Sequence, residues 1–427
     1  MMKRLAGGVL ITWMALHVSQ AQTTRDTFDL QIRPLTSPAA ATSGEPQLSV
    51  SSRGVLLSWI ERTGPQATLK FAERTAAGWS APRVVASGAD WFVNWADVPS
   101  VLRLADGTLA AHWLQKSGQG TYAYDVRLSY SGDDGKTWSP SFTPHHDGTK
   151  TEHGFASMFQ MPGAGLGLIW LDGRAMRPEA HDAPAMAAGA AMPGGAMTLR
   201  SATFDRRWKQ TSEAPVDLRV CECCPTTAAV TSEGPIVAFR NRTEDEIRDI
   251  YVSRLEGNRW SEPKAVYNDG WHITGCPVNG PMLSARGRDV AVAWFTTKSG
   301  QGQVFVAFSK DAGRTFAPPI RVDDGGSLGR VDVELLTDGG VAALWIEHAN
   351  SKAEVRVRRI DPSGARSSAI TIASISSARS SGYPRLARHA NELVFAWTEA
   401  TAATGGRSDG GLRVQTAVAP LPRPANR

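Results

Sequence analysis

Four cysteines stand in two short motifs, CECCP at 221–225 and GCP at 275–277. Two chemistries suit them. In an oxidising compartment they would form disulfides, one of them joining the two motifs, with the adjacent pair Cys223 and Cys224 the strained choice. As thiolates, Cys221, Cys223, Cys224 and Cys276 would instead hold copper(I) or zinc, with imidazole or thioether groups in support. His153 and His272 flank the region, and an Ala/Gly-rich stretch adds Met176, His181, Met186, Met192 and Met197. Cys221 and Cys224 also read C-x-x-C, but no βαβ pattern surrounds them, which argues against a thioredoxin-type centre.

A second set of reactive groups is ionic. Arg62, Arg174, Arg240, Arg242, Arg330 and Arg385 recur along the chain, as do acids such as Asp97 and Glu334. Guanidinium groups can hold a carboxylate in bidentate fashion, and paired carboxyls can exchange a proton with a ligand. The elements that position these groups decide whether they meet.

Those elements repeat. An apolar segment centred on an aromatic residue recurs at Trp59, Trp113, Trp170, Phe239, Trp294, Trp345 and Trp397, at spacings of 54, 57, 69, 55, 51 and 52 residues. Each unit has a short first strand often opened by Pro, a turn, the aromatic strand, a third alternating strand and a short closing strand. Four short strands in about 50 residues, without helical periodicity, predict an all-β, seven-bladed propeller, with a six-bladed ring as the alternative. Packing the aromatic strand on the next blade would bury its ring. The last unit runs into the Pro-rich tail APLPRPANR, so the alternating segment 28–32 is expected to supply the missing strand and close the ring.

Two turns share the spacing S-x-D-x-G-x-T-[WF]. One carries Ser131, Asp133, Gly135, Thr137 and Trp138; the other carries Ser309, Asp311, Gly313, Thr315 and Phe316. In a hairpin the Asp can cap backbone N–H groups, the Gly can take positive φ and the aromatic can plug the blade edge. These motifs resemble the Asp box of the sialidase-like (BNR-repeat) propellers, and the repeat covers nearly all of the chain after residue 21. The resemblance implies architecture more than activity, since its boxes sit on turns away from the active face.

In a propeller the starts of the first strands and the ends of the second strands converge on one face. Glu45, Asp97, Glu152, His153, the cysteine motifs, Asn279, Arg330, Asp332, Glu334, Tyr383 and Arg385 form the first set; Arg62, Asp172, Arg174, Arg240, Arg242, His348 and Glu399 form the second. Active sialidases use three arginines as a carboxylate clamp, a Tyr–Glu pair and an Asp acid. The resemblance therefore implies Arg62, Arg242 and Arg385 as the clamp, Tyr383 with Glu334 as the pair, Asp97 as the acid, and Arg174, Arg240 and Arg330 as further ligand-binding groups. The Phe-Arg-Ile-Pro motif of that family is missing and the boxes occur in two units of seven. Binding of a glycan or cell-envelope ligand, with exo-sialidase-like hydrolysis as the reaction if there is one and no cofactor required, is the first expectation. A periplasmic copper- or zinc-binding or protein-interaction scaffold built on the cysteines is the second.

Composition narrows the field further. The chain has 427 residues, 42% hydrophobic and 20% charged, which excludes global disorder. Residues 1–4 are basic, 5–18 apolar, and Ser19-Gln20-Ala21 presents small residues at two cleavage positions. Residues 1–21 thus read as a signal peptide cleaved near Ala21, and 22–427 as one secreted or periplasmic domain, monomeric and with no membrane span. No lipid-anchor Cys follows. The formal charge of +5 falls to +3 without Lys3 and Arg4, and no basic run remains to track nucleic-acid phosphates. Asn241-Arg242-Thr243 fits a glycosylation sequon by chance composition. There is no Walker loop, dinucleotide fingerprint, H-E-x-x-H or G-x-S-x-G.

Overall fold

A computed structural model describes residues 28–163, 165–176, 195–349, 352–400 and 411–422. The expected signal peptide, and His181, Met186 and Met192, lie outside the described residues. Seven small antiparallel sheets form a ring, a seven-bladed β-propeller. Among the described residues there is no α-helix, and no helix long and apolar enough to cross a membrane.

The inner strands of blades 1 to 7 are Ser43–Ser51, Ser100–Arg103, His153–Gln160, Thr227–Thr231, Met282–Arg286, Ser327–Leu335 and Arg385–His389. The second strands carry the repeated aromatic residue. In each case it packs between its own blade and the preceding one, not the next as the repeat alone suggested. Trp113 of blade 2 clusters with Leu56, Ile60 and Phe71 of blade 1, and Trp345 of blade 6 with Phe295, Val304 and Val306 of blade 5. Trp59, Trp170, Trp294 and Trp345 are fully buried. A buried indole needs an acceptor. Strand alternation puts residue i+2 on the same side, so Trp59 donates to Glu61 at 2.9 Å, Trp170 to Asp172 at 2.8 Å and Trp345 to Glu347 at 2.9 Å.

Ring closure is as expected in kind and shifted in register. The outer strand of blade 7 is Arg33–Leu35, paired with Leu412–Pro420 through Arg33 and Val418, Pro34 and Ala417, and Leu35 and Thr416. The predicted segment 28–32 instead supplies Phe28 and Leu30 to the core between blades 6 and 7. Its apolar alternation records burial without pairing.

Blade 2 departs from the repeat. It has three strands, and the stretch leading to blade 3 runs where a fourth would lie, touching the sheet through the isolated bridges Leu128 with Phe142 and Tyr124 with Glu152. The turns at 131–138 and 309–316 are built alike. Ser131 donates to Asp133 Oδ1 at 2.8 Å, and Asp133 accepts the Thr137 N–H at 2.9 Å and its hydroxyl at 2.7 Å. Ser309, Asp311 and Thr315 repeat this at 2.7, 2.9 and 2.6 Å. Gly135 and Gly313 have φ of 80° and 81°. Trp138 meets Phe71 of blade 1 edge-on at 6.2 Å. Both turns follow a third strand, which starts on the axial face that carries the inner-strand starts and ends on the opposite face.

Candidate functional site

Inner strands begin on the axial face with a repeated irregularity. The register shifts between Gly44 and Gln47, between Gly154 and Ser157, and between Gly329 and Asp332. Glu45, Phe155 and Arg330 have φ of 52°, 50° and 52°. Bulges with positive φ at non-glycine residues re-aim side chains and carry a strain cost. Sequence reasoning missed this feature. Its signal was a Gly before each residue, in GEP, GFA and GRV.

Acceptors placed before or at these starts tie neighbouring blades together. Asp97 Oδ1 accepts the Phe155 N–H at 2.7 Å, Asn279 Oδ1 the Arg330 N–H at 2.7 Å, and Asp332 Oδ2 the Leu386 N–H at 2.9 Å. Each bond joins one blade to the next. Asp97 is therefore a staple between blades 2 and 3. Its second oxygen accepts from the Tyr124 hydroxyl at 3.1 Å, which also lies 2.7 Å from Glu152 Oε1. Burial raises Asp97 to about 7 and Glu152 to about 8. The fold thus brings an Asp, a Tyr and a Glu together, but with Tyr124 and Glu152 rather than Tyr383 and Glu334. Ala96 and Phe155 line the axial channel, and Asp97, Tyr124 and Glu152 are not among its lining residues.

Tyr383 and Glu334 have separate partners. Tyr383 is buried, stacks on Trp95 at 5.9 Å and donates to Val278 O at 2.6 Å. Glu334 lies farther along its strand and accepts from Ser284 at 3.1 Å.

The six arginines divide by partner. Arg240 is buried and donates to the carbonyls of Asn279, Arg248 and Phe295 at 2.9, 2.5 and 2.7 Å, with Trp271 4.8 Å from its guanidinium carbon. It is a strut between blades 4 and 5. Arg330 donates to the Ala378 and Gly382 carbonyls at 3.2 Å and lies over Trp95 at 4.7 Å. Arg174 binds Asp172 at 2.7 Å, Glu213 at 2.9 Å and Asp147 at 3.2 Å. Arg242 contacts Glu222 and Glu246, and Arg248 shares both acids at 2.8 Å. Arg62, with 42% of its side chain exposed, pairs with buried Glu45 at 2.7 Å; burial raises Glu45 to about 7 although Arg62 pulls the other way. Arg62, Arg242 and Arg385 thus have different partners, and no contact among the described residues joins them as one clamp.

Arg385 faces the axis. With Asp332, Glu334 and Ser284 it lines a channel of 380 Å³ to which all seven inner strands contribute, including Gln47, Ser100, Ser157 and Thr227. That volume falls within the range of about 300–1,000 Å³ that small-ligand pockets occupy. Arg385 Nη1 approaches Met282 Sδ at 3.7 Å, and its buried Nε has no hydrogen-bond partner. Burial raises Asp332 to about 6, with Arg385 opposing, and raises Glu334 to about 8, with Asp332 adding to the effect. The channel wall therefore carries the Arg385 guanidinium and two carboxyls, Asp332 and Glu334, that burial raises.

All four cysteines are paired, Cys221 with Cys224 and Cys223 with Cys276, at Cα separations of 5.7 and 6.2 Å. The second bridge joins the two motifs and the starts of blades 4 and 5. The sulfurs of Cys221, Cys223 and Cys276 lie within 4.8 Å of one another. His272 is exposed and His153 is occupied elsewhere: its Nε2 lies 2.9 Å from Asp147 Oδ2, and its ring stacks on His145 at 3.8 Å. Met176 and Met197 are buried in the core between blades 3 and 4. Burial opposes protonation of His153, but Asp125 and Asp147 raise it to about 9; burial and then His153 lower His145 to about 4.

No family model matches this sequence, and no curated protein is similar to it. Solved structures share its fold. A protein of unknown function from Dyadobacter fermentans superposes with a TM-score of 0.51 at 13% identity, over 92% of this chain and 98% of that one. Polysaccharide lyase Uly1 gives 0.52 at 11%, over 88% and 90%. The endosialidase of phage phi92 gives 0.51 at 10%, over 94% and 70%. At these identities the likeness is one of fold.

Proposed function

We propose that this chain is an exported, sialidase-like Asp-box propeller that binds a glycan-type ligand on its axial face, in the channel lined by Arg385, Asp332 and Glu334. The observation that carries the reading is Arg385: a buried guanidinium on the channel wall with an unpaired Nε, set among carboxyls and hydroxyls. Sugars present hydroxyls that both donate and accept, and acidic sugars add a carboxylate that a guanidinium holds well. Two of the folds it resembles belong to a polysaccharide lyase and an endosialidase, which makes glycans the first ligands to test. If the bound glycan is cleaved, Glu334 delivers the proton to the leaving oxygen and Asp332 assists the attacking water, since burial and the neighbouring Asp332 raise Glu334 while Arg385 opposes the rise at Asp332.

The test is a glycan-binding and hydrolysis panel on the full mature chain. Arg385→Ala should lower affinity at least tenfold, and Glu334→Gln should keep binding while abolishing any turnover. Wild-type protein that retains no glycan, or unchanged affinity in a folded Arg385→Ala variant, defeats the reading.

A second reading rests on the three sulfurs within 4.8 Å of one another. In it, Cys221, Cys223, Cys224 and Cys276 bind copper or zinc when reduced, with the protein acting as a periplasmic metal-binding scaffold. Thiol counting on anaerobically purified protein decides it: four oxidised cysteines remove it.

A further inference from the structure

Between blades 2 and 3, away from the cysteines and the channel, three buried ligand atoms face one another without hydrogen-bond partners: Asp125 Oδ1, His145 Nε2 and His153 Nδ1. We propose that they form a binding site for a divalent transition cation of the zinc class. The reading is independent of the glycan proposal.

Geometry favours an ion over a hydrogen-bond network. His153 Nδ1 lies 3.4 Å and His145 Nε2 3.9 Å from Asp125 Oδ1, and all three atoms fall within 4.8 Å of one another. These separations are long for hydrogen bonds. Zinc held by nitrogen and oxygen at about 2.0–2.1 Å in a tetrahedron requires its ligand atoms about 3.3–3.4 Å apart. The imidazoles are stacked at 3.8 Å and 8° from parallel, so one ring must turn out of the stack for both nitrogens to reach one ion.

Burial and charge point the same way. His145 is 5% and His153 0% exposed, so each orphaned nitrogen costs free energy unless something satisfies it. Asp125, Asp147 and Asp172 face the two imidazoles, and Arg174, itself paired with Asp147, Asp172 and Glu213, and Arg200, paired with Glu213, are the cations bound to this acidic group among the described residues. The four carboxyl groups outnumber the two guanidinium groups, and a divalent cation offsets that excess. Asp147 also supplies the outer support such sites use: its Oδ2 holds His153 Nε2 at 2.9 Å, while Thr149 donates to its Oδ1 at 2.8 Å from both backbone and hydroxyl. Three protein ligands leave the fourth position to water, on the side where 23% of the Asp125 side chain is exposed.

The site has a structural purpose. Asp125 is on the third strand of blade 2, His153 opens blade 3, and His145 is on the stretch that replaces the missing fourth strand. An ion shared by the three clamps that stretch to both blades.

The experiment is zinc titration of chelator-treated full mature chain with its cysteines oxidised, using a competing chromophoric chelator, followed by X-ray absorption of the loaded protein. One equivalent should bind, with imidazole and oxygen neighbours and no sulfur. Asp125→Asn and His145→Gln, each verified as folded by circular dichroism, should each weaken binding at least tenfold. The same chelator-treated protein should show faster amide exchange over residues 139–152, reversed by zinc. No binding by the wild type, undiminished binding by both folded variants, or sulfur in the coordination shell would each overturn the proposal; sulfur would move the ion to the cysteine cluster.

Discussion

Asp97 Oδ1 accepts the backbone N–H of Phe155 at 2.7 Å, so a carboxyl that opens blade 2 holds the bulge that opens blade 3. Beside it, a Cβ built on Gly154 would lie 2.2 Å from Asp97 Oδ2 and 2.7 Å from the Tyr124 ring. Gly154→Ala must therefore push the carboxyl off the bulge. A loss of about 1–3 kcal/mol is expected, as for other overpacked interiors, and urea denaturation measures it. A neutral result would mean that the Asp97 staple contributes nothing.

The Tyr124 hydroxyl lies between two buried carboxyls, 3.1 Å from Asp97 and 2.7 Å from Glu152. Tyr124→Phe keeps the ring stacked on Phe92, now at 4.0 Å, and removes only that hydroxyl. The expected cost is about 1–3 kcal/mol, the penalty for leaving buried polar atoms unsatisfied. Unfolding of the variant by denaturant, compared with wild type, checks it.

Glu334 gives a pH signature. Its folded-state value is raised from 4.5 to about 8, chiefly by burial, so the folded chain holds a proton that the unfolded chain releases. The protonated group is tolerated below pH 4.5, and stability falls as pH rises from there to about 8. Glu334→Gln removes the penalty. The variant should gain on the order of 1 kcal/mol over wild type at pH 8 and little at pH 4. Equal stability differences at the two pH values would show that the carboxyl is solvated in the channel.

Gly313 is required twice over. Its φ is 81°, and a Cβ there would lie 2.2 Å from Ile236 Cδ1 of the preceding blade. Gly313→Ala should cost about 1–3 kcal/mol through strain and displaced packing. Gly257, also at positive φ (64°) but with open space around a Cβ, is the control: Gly257→Ala should cost only about 1 kcal/mol. Thermal unfolding of the two variants separates the contributions.

Asp311 contributes to acid sensitivity. Burial would raise it, but hydrogen bonds from Thr315 and Ser309 outweigh that and hold its carboxyl at about 2. A depressed folded-state value contributes stability above the unfolded value, lost as pH falls toward 2. Asp311→Asn should therefore be less stable than wild type at pH 7, with the gap closing in acid. A pH-independent gap in denaturation midpoints would assign the loss to geometry instead of charge.

Blade number was legible because it rests on local rules. An aromatic residue every 50-odd positions, flanked by alternating strands and turn residues, can be buried only by stacking sheets in a ring, and the two S-x-D-x-G-x-T turns close on themselves within eight residues. Trp59, Trp170 and Trp345 even carry their acceptors two positions on. Whether Arg240 is a ligand-binding group or a strut, whether Asp97 is an acid or a staple, and which Tyr meets which Glu could not be read that way. Those outcomes depend on bulges that turn single side chains and on partners in other blades, such as the Asn279 and Phe295 carbonyls that hold Arg240. The same holds for His145, unremarkable in sequence, which meets Asp125 and His153 only because blade 2 lacks its fourth strand. Periodicity is a property of neighbours along the chain and survives in one dimension. Convergence at the axis and between blades is set by packing across tens to hundreds of residues, and only the tertiary structure decides it.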